Sequence, residues 1–179
     1  MNNSKKMLVI NYIIMVLAVA LDQITKLLIE ALKDNPDIDV VHGVFSFTYV
    51  ENRGAAFGMM HGQRVFFVII AIVVFAVISY VLVKVPNEKK YIKLEVVLSL
   101  IVAGAIGNMV DRFFLGYVRD FIYFYCIDFA VFNVADIYIT CGTAILVILI
   151  LWVYKDDDFS FMKKNQIESE TDKDEKKES

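Results

Sequence analysis

The sequence predicts a membrane protein that is mostly α-helical, with four transmembrane helices and a small extracytoplasmic region of β-sheet and loop on the membrane surface. Apolar residues make up 58% of the 179 residues, whereas soluble domains contain about 45–50%. Four apolar runs are each long enough to cross a bilayer, which takes about 20 helical residues. An alternating aromatic pattern in one connecting segment adds a strand signal.

The four runs define one membrane domain, and a charged segment follows it. The predicted spans cover about residues 7–32, 65–83, 94–115 and 135–154, so residues 1–154 form a single four-helix domain. Residues 155–179 carry six lysines and nine acidic side chains, which account for the whole net charge of −3. Such a charged segment is predicted to be a disordered cytoplasmic tail. No basic patch indicates nucleic-acid binding.

The distribution of lysines predicts the orientation in the membrane. Nine of them precede the first run, lie between the second and third, or follow the fourth: Lys5, Lys6, Lys84, Lys89, Lys90, Lys93, Lys155, Lys163 and Lys164. The positive-inside rule therefore places both termini in the cytoplasm and residues 33–64 and 116–134 outside. Alternatively, Ala18-Val19-Ala20 resembles the cleavage site of a secretory signal. The apolar pattern continues past Ala20, however, which favours an uncleaved span.

Carboxylates from three predicted helices lie at one depth. At 1.5 Å per residue, Asp22 lies about 22 Å and Asp111 about 25 Å from the inner face. Asp136 begins the fourth span from the outside. Because intramembrane charges are costly, three of them at one depth predict a polar pocket inside the bundle that opens outward.

Not all of these acids are expected to have the same role. Asp22 and Lys26 are spaced i, i+4 and can pair on one helix face, and Asp111 lies beside Arg112. For these two acids we favour structural clamps between helices. Asp120 and Asp136 have no cation at helical spacing in their own apolar segments, so they are the candidates for chemistry.

The two outward segments contain many aromatic residues. Residues 38–50 place Phe45, Phe47 and Tyr49 in a period-two pattern, which predicts a strand. The second segment, residues 116–134, is rich in Tyr and Phe, which suit the headgroup level of a membrane. It separates Asp120 from Asp136 by sixteen residues, enough to fold back and bring them together.

Five motifs in order resemble the lipoprotein signal peptidases of bacteria, also called signal peptidase II: DQITK (22–26), ENRGAAFG (51–58), GAIGNMVDR (104–112), GYVRDF (116–121) and FNVAD (132–136). The resemblance covers about residues 7–154. It implies an intramembrane aspartic endopeptidase that removes signal peptides from prolipoproteins, cleaving before a diacylglyceryl-modified cysteine. It also implies a monomer in the bacterial cytoplasmic membrane, in contact with lipid, with its active site near the outer leaflet.

The resemblance also implies roles for individual residues. Asp120 and Asp136 would form the catalytic pair, with one proton between them and a water as nucleophile, so that no metal or cofactor is needed. Further positions would bind substrate or support the site: Asn52, Arg112, Asn108, Asn133, Asp111, Asp22, Lys26, Gly54 and Ala55. Two residues depart from the family pattern: Arg119 stands where an aliphatic residue is common, and Ile137 where a small hydroxyl residue is common.

Two other classes of protein remain as alternatives. In a small transporter or channel subunit the polar layer would be an ion path, but such a path needs polar groups across the full membrane thickness. In a structural or assembly protein the acids would only clamp helices. Substitution of the acids separates these classes, because a clamp variant loses folding whereas a catalytic variant folds and loses turnover.

Overall fold

A computed structural model describes residues 3–54 and 64–162, and it confirms the predicted fold class. Its helices and strands are α1 (Asn3–Glu30), β1 (Ile38–Val41), β2 (Phe45–Asn52), α2 (Arg64–Lys84), α3 (Ile92–Phe114), β3 (Val118–Tyr123) and α4 (Val134–Ile148). A turn of π-helix over Leu149–Val153 continues α4. Within the described residues, four helices are long and apolar enough to cross a membrane. Ala55 and residues 163–179 lie outside the described residues.

Helix α3 is the centre of the bundle, and α1, α2 and α4 pack around it. In its most apolar window 67% of the residues are buried, compared with 11% to 22% in the other three helices. Val102 and Ala103, at the middle of α3, are fully buried. The apolar side chains that α1, α2 and α4 leave exposed are therefore the surface that faces lipid.

Glycines on α3 let two neighbouring helices approach closely. A Cβ atom at Gly104 would lie 2.5 Å from the carbonyl oxygen of Ala135 in α4, and one at Gly107 would collide with the Asp22 carboxylate of α1. The Asp22 carboxylate in turn accepts a hydrogen bond from the Ala135 backbone N–H at 2.9 Å. Small residues on α3 thus join α1 and α4 at the level of the polar layer.

A three-stranded antiparallel sheet, in the order β1-β2-β3, connects to the end of the bundle that holds this layer. The predicted strand over residues 38–50 is present as two strands, with Gly43 at φ 81° in the turn between them. Strand β3, which was not predicted, follows α3 almost directly and pairs with β2 so that Val50 is opposite Asp120 and Asn52 is opposite Val118.

The prediction of a disordered segment from residue 155 is wrong for its first eight residues. Residues 155–162 fold back on the bundle, where Phe159 packs on the ring of Tyr154. The Tyr91 hydroxyl donates to the Asp158 carbonyl oxygen at 2.7 Å, and Lys90 pairs with the Asp158 carboxylate at 2.8 Å. Aromatic packing therefore outweighs the charge of this stretch.

Candidate active site

The two candidate acids come from different elements and line the same cavity. Asp120 lies on β3, and Asp136 is in the first turn of α4. The cavity has a volume of about 510 Å³. Its other polar lining residues are Asn52, Asn108, Arg112 and Thr140, and the rest are Val118, Phe129, Ala130, Val131, Phe132, Ile137 and Cys141.

The start of α4 fixes the position of Asp136. Asn133 is the N-cap residue, and its side-chain oxygen accepts from the Asp136 backbone N–H at 3.0 Å. In return, Asp136 Oδ2 accepts from the Asn133 backbone N–H at 3.1 Å, which completes a capping box. The other oxygen, Oδ1, accepts from Asn108 Nδ2 at 2.8 Å. The carboxylate is therefore held by the backbone and by α3.

Two asparagine amides hold the carboxylate of Asp120. Asn52 Nδ2 on β2 donates to Asp120 Oδ2 at 2.8 Å, and Asn133 Nδ2 donates to Asp120 Oδ1 at 2.6 Å. Asn133 therefore contacts both acids, through its side chain to Asp120 and through the capping box to Asp136. This one residue couples β3 to the start of α4.

The environment of Asp120 favours its protonated form. The residue is only 2% exposed. Burial, followed by the nearby charge of Asp136, raises the pKa of Asp120 to about 7, although the hydrogen bonds from Asn52 and Asn133 oppose the shift. Two carboxyl groups in one buried site cannot both ionise easily, so the pair retains a proton near neutral pH.

Behind the two acids, a fully buried lysine joins α1 to α3. Lys26 Nζ lies 3.0 Å from Asp22 Oδ2 and 3.5 Å from Asp111 Oδ2, and it donates to Asn108 Oδ1 at 3.0 Å. The predicted pairing of Asp22 with Lys26 is confirmed. Asn108 also donates to Asp136, so two successive hydrogen bonds through Asn108 connect Lys26 to the Asp136 carboxylate in the cavity.

The predicted pairing of Asp111 with Arg112 is wrong. Asp111 instead accepts from Arg119, through Nη2 to Oδ1 at 2.7 Å and through the backbone N–H to Oδ2 at 3.0 Å. The side chains of Arg119 and Asp120 leave β3 on opposite faces, as expected for neighbours in a strand. The Arg119 guanidinium also contacts Glu30 Oε2 at 2.8 Å and Gln23 Oε1 at 3.0 Å.

Sequence reasoning missed Gln23 and Glu30. Both lie on α1. Glu30 follows Lys26 by four residues, so Lys26 and Glu30 share one face of the helix. Gln23 Nε2 also donates to the Gly107 carbonyl oxygen at 3.1 Å. These contacts explain why an arginine occupies position 119, where an aliphatic residue is common in the family. This face of β3 packs against polar groups of α1 and α3 rather than against an apolar surface.

Arg112 is directed to the cavity side of α3. Its Nη2 donates to the Gly54 carbonyl oxygen at 3.0 Å, and its guanidinium lies 4.6 Å from the centre of the Phe67 ring. The Gly54 backbone N–H in turn donates to the Asn52 side-chain oxygen at 3.0 Å. These contacts tie the end of β2 to α2 and α3.

The described residues provide hydrogen-bond donors and acids but no evident metal site. Within residues 3–54 and 64–162, no three His, Cys, Asp or Glu side chains are grouped so as to hold a metal ion. Cys126 and Cys141 are both free and exposed.

Of the residues predicted for the site, Asp120, Asp136, Asn52, Asn108 and Arg112 line the cavity. The others that are described lie within hydrogen-bonding distance of these five or of Lys26.

The family profile that matches this chain and two of its relatives are all described as signal peptidases. The profile of the family Signal peptidase (SPase) II matches residues 14–152. A lipoprotein signal peptidase of Streptococcus thermophilus strain CNRZ 1066 is 49% identical over 118 residues, which are 66% of this chain and 75% of that protein. One from Clostridium tetani is 41% identical over 155 residues, 84% of this chain and 96% of that protein.

Solved structures give the same result for the fold. Two structures described as a bacterial membrane enzyme are each 33% identical, with TM-scores of 0.70 and 0.69. The first comparison covers 79% of this chain and 87% of the other. By its sequence, and with a fold shared by these structures, the chain belongs to the signal peptidase II family, the proteases that remove signal peptides from prolipoproteins.

Proposed function

We propose that this chain cleaves prolipoproteins with Asp120 and Asp136 as a catalytic pair, on the N-terminal side of a diacylglyceryl-modified cysteine. The observation that carries the proposal is the convergence of two acids from separate elements in one cavity of about 510 Å³. Asparagines hold both carboxylates, Asp120 through two side-chain amides and Asp136 through one side-chain amide and one backbone N–H. Among the described residues, no cation lies within ion-pair distance of either acid. That arrangement leaves an acid and a base available for a reaction.

The chemistry follows from one proton shared between two carboxyl groups. The ionised carboxylate takes a proton from a water as the water oxygen attacks the scissile carbonyl carbon. The protonated carboxyl donates a hydrogen bond to the carbonyl oxygen and stabilises the tetrahedral intermediate. The C–N bond then breaks, and the departing amine of the cysteine takes up a proton from the pair. We assign the proton to the pair rather than to either residue.

Asparagines keep the pair in position in this proposal. Asn52 and Asn133 orient the Asp120 carboxyl, and Asn108 orients that of Asp136. Arg112 lines the same cavity, where it is available to a substrate carbonyl group. Asp22, Lys26 and Asp111 support the site from behind, by fixing α1 against α3.

The surroundings of the pair suit a lipid-modified peptide. The main cavity is walled mostly by apolar side chains of α4 and of residues 129–132. A second cavity of about 460 Å³ shares Asn52 and Asp120 with it and has the charged residues Glu51, Arg53 and Asp128 in its lining. We place the acyl chains toward the apolar cavity and the polar polypeptide toward the sheet. With both termini cytoplasmic, the scissile bond then lies near the outer leaflet of the cytoplasmic membrane.

Cleavage by purified protein tests the proposal. A diacylglyceryl-modified prolipoprotein is mixed in detergent with the wild type, Asp136→Asn, or Asp37→Asn as a control acid exposed in an outward segment. We expect cleavage by the wild type and the control but not by Asp136→Asn, with equal thermal unfolding of all three. Full activity of a folded Asp136→Asn protein would contradict the proposal. The mass of the product shows whether the lipid-modified cysteine is its first residue.

A further inference from the structure

Three asparagines turn their side-chain NH2 groups toward the proposed catalytic pair. Asn52 and Asn133 donate to Asp120, and Asn108 donates to Asp136. Rotating such an amide by 180° exchanges its oxygen with its NH2 group, which would place an acceptor against the carboxyl group. The hydrogen bonding of the pair therefore depends on which way round each amide is held.

Backbone N–H groups fix two of the three amides, because a backbone N–H can only donate. The Gly54 N–H donates to Asn52 Oδ1 at 3.0 Å, and the Asp136 N–H donates to Asn133 Oδ1 at 3.0 Å. The NH2 group of each amide is thereby left to face Asp120. The third amide is held differently, since Asn108 Oδ1 accepts from side chains.

Lys26 fixes the amide of Asn108. Its Nζ lies 3.0 Å from Asn108 Oδ1. An ammonium group has three donors and no acceptor, so the amide oxygen must face it. Nδ2 is then left to donate to Asp136 Oδ1 at 2.8 Å. Asn133 Nδ2 also donates to Asn108 Oδ1, at 3.1 Å, but the bond from the ammonium group is charge-assisted and therefore the stronger of the two.

The position of Lys26 suits an indirect role. Its Nζ also lies 3.0 Å from Asp22 Oδ2 and 3.5 Å from Asp111 Oδ2, so its three donors have three acceptors. The side chain is 0% exposed, and the described residues that line the cavity around the pair do not include it. Lys26 can therefore influence the reaction only through its charge and through Asn108.

We propose that Lys26 is a positioning residue, which holds the Asn108 amide with its NH2 group toward Asp136. This role rests on the proposed function. With the amide reversed, a protonated Asp136 would donate to Asn108 Oδ1 instead of to Asp120 or to the substrate. By excluding that arrangement, Lys26 keeps the proton of the pair available to the scissile carbonyl group.

A cycle of kcat values between positions 26 and 108 tests this role. Lys26→Met, Asn108→Ala and their combination are compared on one lipid-modified prolipoprotein in detergent. Every member of the cycle carries Asp22→Asn, so that loss of the lysine leaves no unpaired carboxylate on α1. Glu30→Gln is the control, because Glu30 lies one turn after Lys26 and pairs with Arg119. The assay temperature is kept below the Tm of every variant.

We expect Lys26→Met to lower kcat about 10–100-fold, the value of a hydrogen bond that involves a charged group, with KM unchanged. Asn108→Ala should lower kcat at least as much. Adding Lys26→Met to Asn108→Ala should cause little further loss, because the lysine acts through that amide. Glu30→Gln should keep the kcat of the wild type.

Two results separate this role from the proposed function. If the wild type cleaves but Lys26→Met keeps its kcat, or if the losses at positions 26 and 108 multiply, the positioning role is overturned and the proposed function stands. Absence of cleavage by the wild type refutes the proposed function and this role with it.

An Asn108→Asp variant decides the question even if Lys26→Met does not fold. Its carboxylate keeps an acceptor for Lys26 but turns a second oxygen toward Asp136, as a reversed amide would. We expect kcat to fall by a similar factor of about 10–100. Cleavage at the wild-type rate by Asn108→Asp would overturn the role, because the direction of the amide would then have no effect.

Discussion

Replacing Arg119 by leucine removes the guanidinium that joins α1, α3 and β3. The side chain is only 6% exposed and pairs with Asp111, whose side chain is 0% exposed. Burial opposes its charge, but the hydrogen bonds that Arg119 donates to Asp111 and Glu30 outweigh burial and raise the pKa of Arg119. The substitution therefore leaves a buried carboxylate that has lost its nearest partner.

The size of the effect follows from the contacts that remain. Breaking one side of a buried ion pair costs about 3–5 kcal/mol. Lys26 Nζ stays 3.5 Å from Asp111 Oδ2, so we expect the lower end, about 3 kcal/mol. At about 2–4 °C per kcal/mol for a chain of this size, Tm should fall by about 6–12 °C.

Thermal unfolding in detergent measures this fall, with Arg53→Leu as the matched control. Arg53 pairs with Glu51 at 2.6 Å, but the two side chains are 52% and 41% exposed. An exposed pair contributes about 0–1 kcal/mol, so the control should lose at most a few degrees. Equal losses in the two variants would refute the reasoning. Adding Asp111→Asn to Arg119→Leu should recover part of the loss, because it removes the buried charge that has lost its nearest partner.

Two further predictions concern the pH dependence of cleavage and the close packing of α3 against α4. The pKa of Asp120 is raised to about 7, so kcat/KM should fall as the pH rises through about 7 and the pair loses its proton. Asn52→Ala removes a hydrogen-bond donor to the ionised carboxylate. The pKa of Asp120 then rises further, and the fall in kcat/KM should move to higher pH. A pH profile that is flat from 6 to 8 would contradict this assignment. Gly104→Val should abolish folding, because a Cβ atom at this position would lie 2.5 Å from the Ala135 carbonyl oxygen. Ala105→Val adds the same bulk at the next position and is the control. Equal yields of the two variant proteins in membranes would contradict the close packing of α3 against α4.

Hydropathy was sufficient to predict the helices, because each span is an apolar run of membrane length. Strand β3 escaped prediction for a physical reason. Its residues Val118–Ile122 are all buried, so the alternation that reveals a strand with one exposed face is absent. The folded stretch after residue 154 was missed because its charges dominate the composition, whereas its two phenylalanines determine its packing.

In the site, too, some features could be predicted from the sequence and others could not. The spacing of Asp120 and Asp136 and their lack of helical partners singled them out. The partner of Asp111 was predicted wrongly, because proximity in sequence favoured Arg112. The true partner, Arg119, comes from a strand that antiparallel pairing with β2 brings against α3. Contacts of this kind depend on how elements pack, which local spacing does not encode.

The central claim is that Asp120 and Asp136 act as one unit, and single-turnover cleavage tests it most directly. The rate is measured for wild type, Asp120→Asn, Asp136→Asn and the double variant, on one lipid-modified prolipoprotein. If the two acids share one proton and one water, each single variant loses about 10²–10⁴-fold or more, and the double variant is no slower than either. Substantial cleavage by either folded single variant, or losses that multiply in the double variant, would contradict the account.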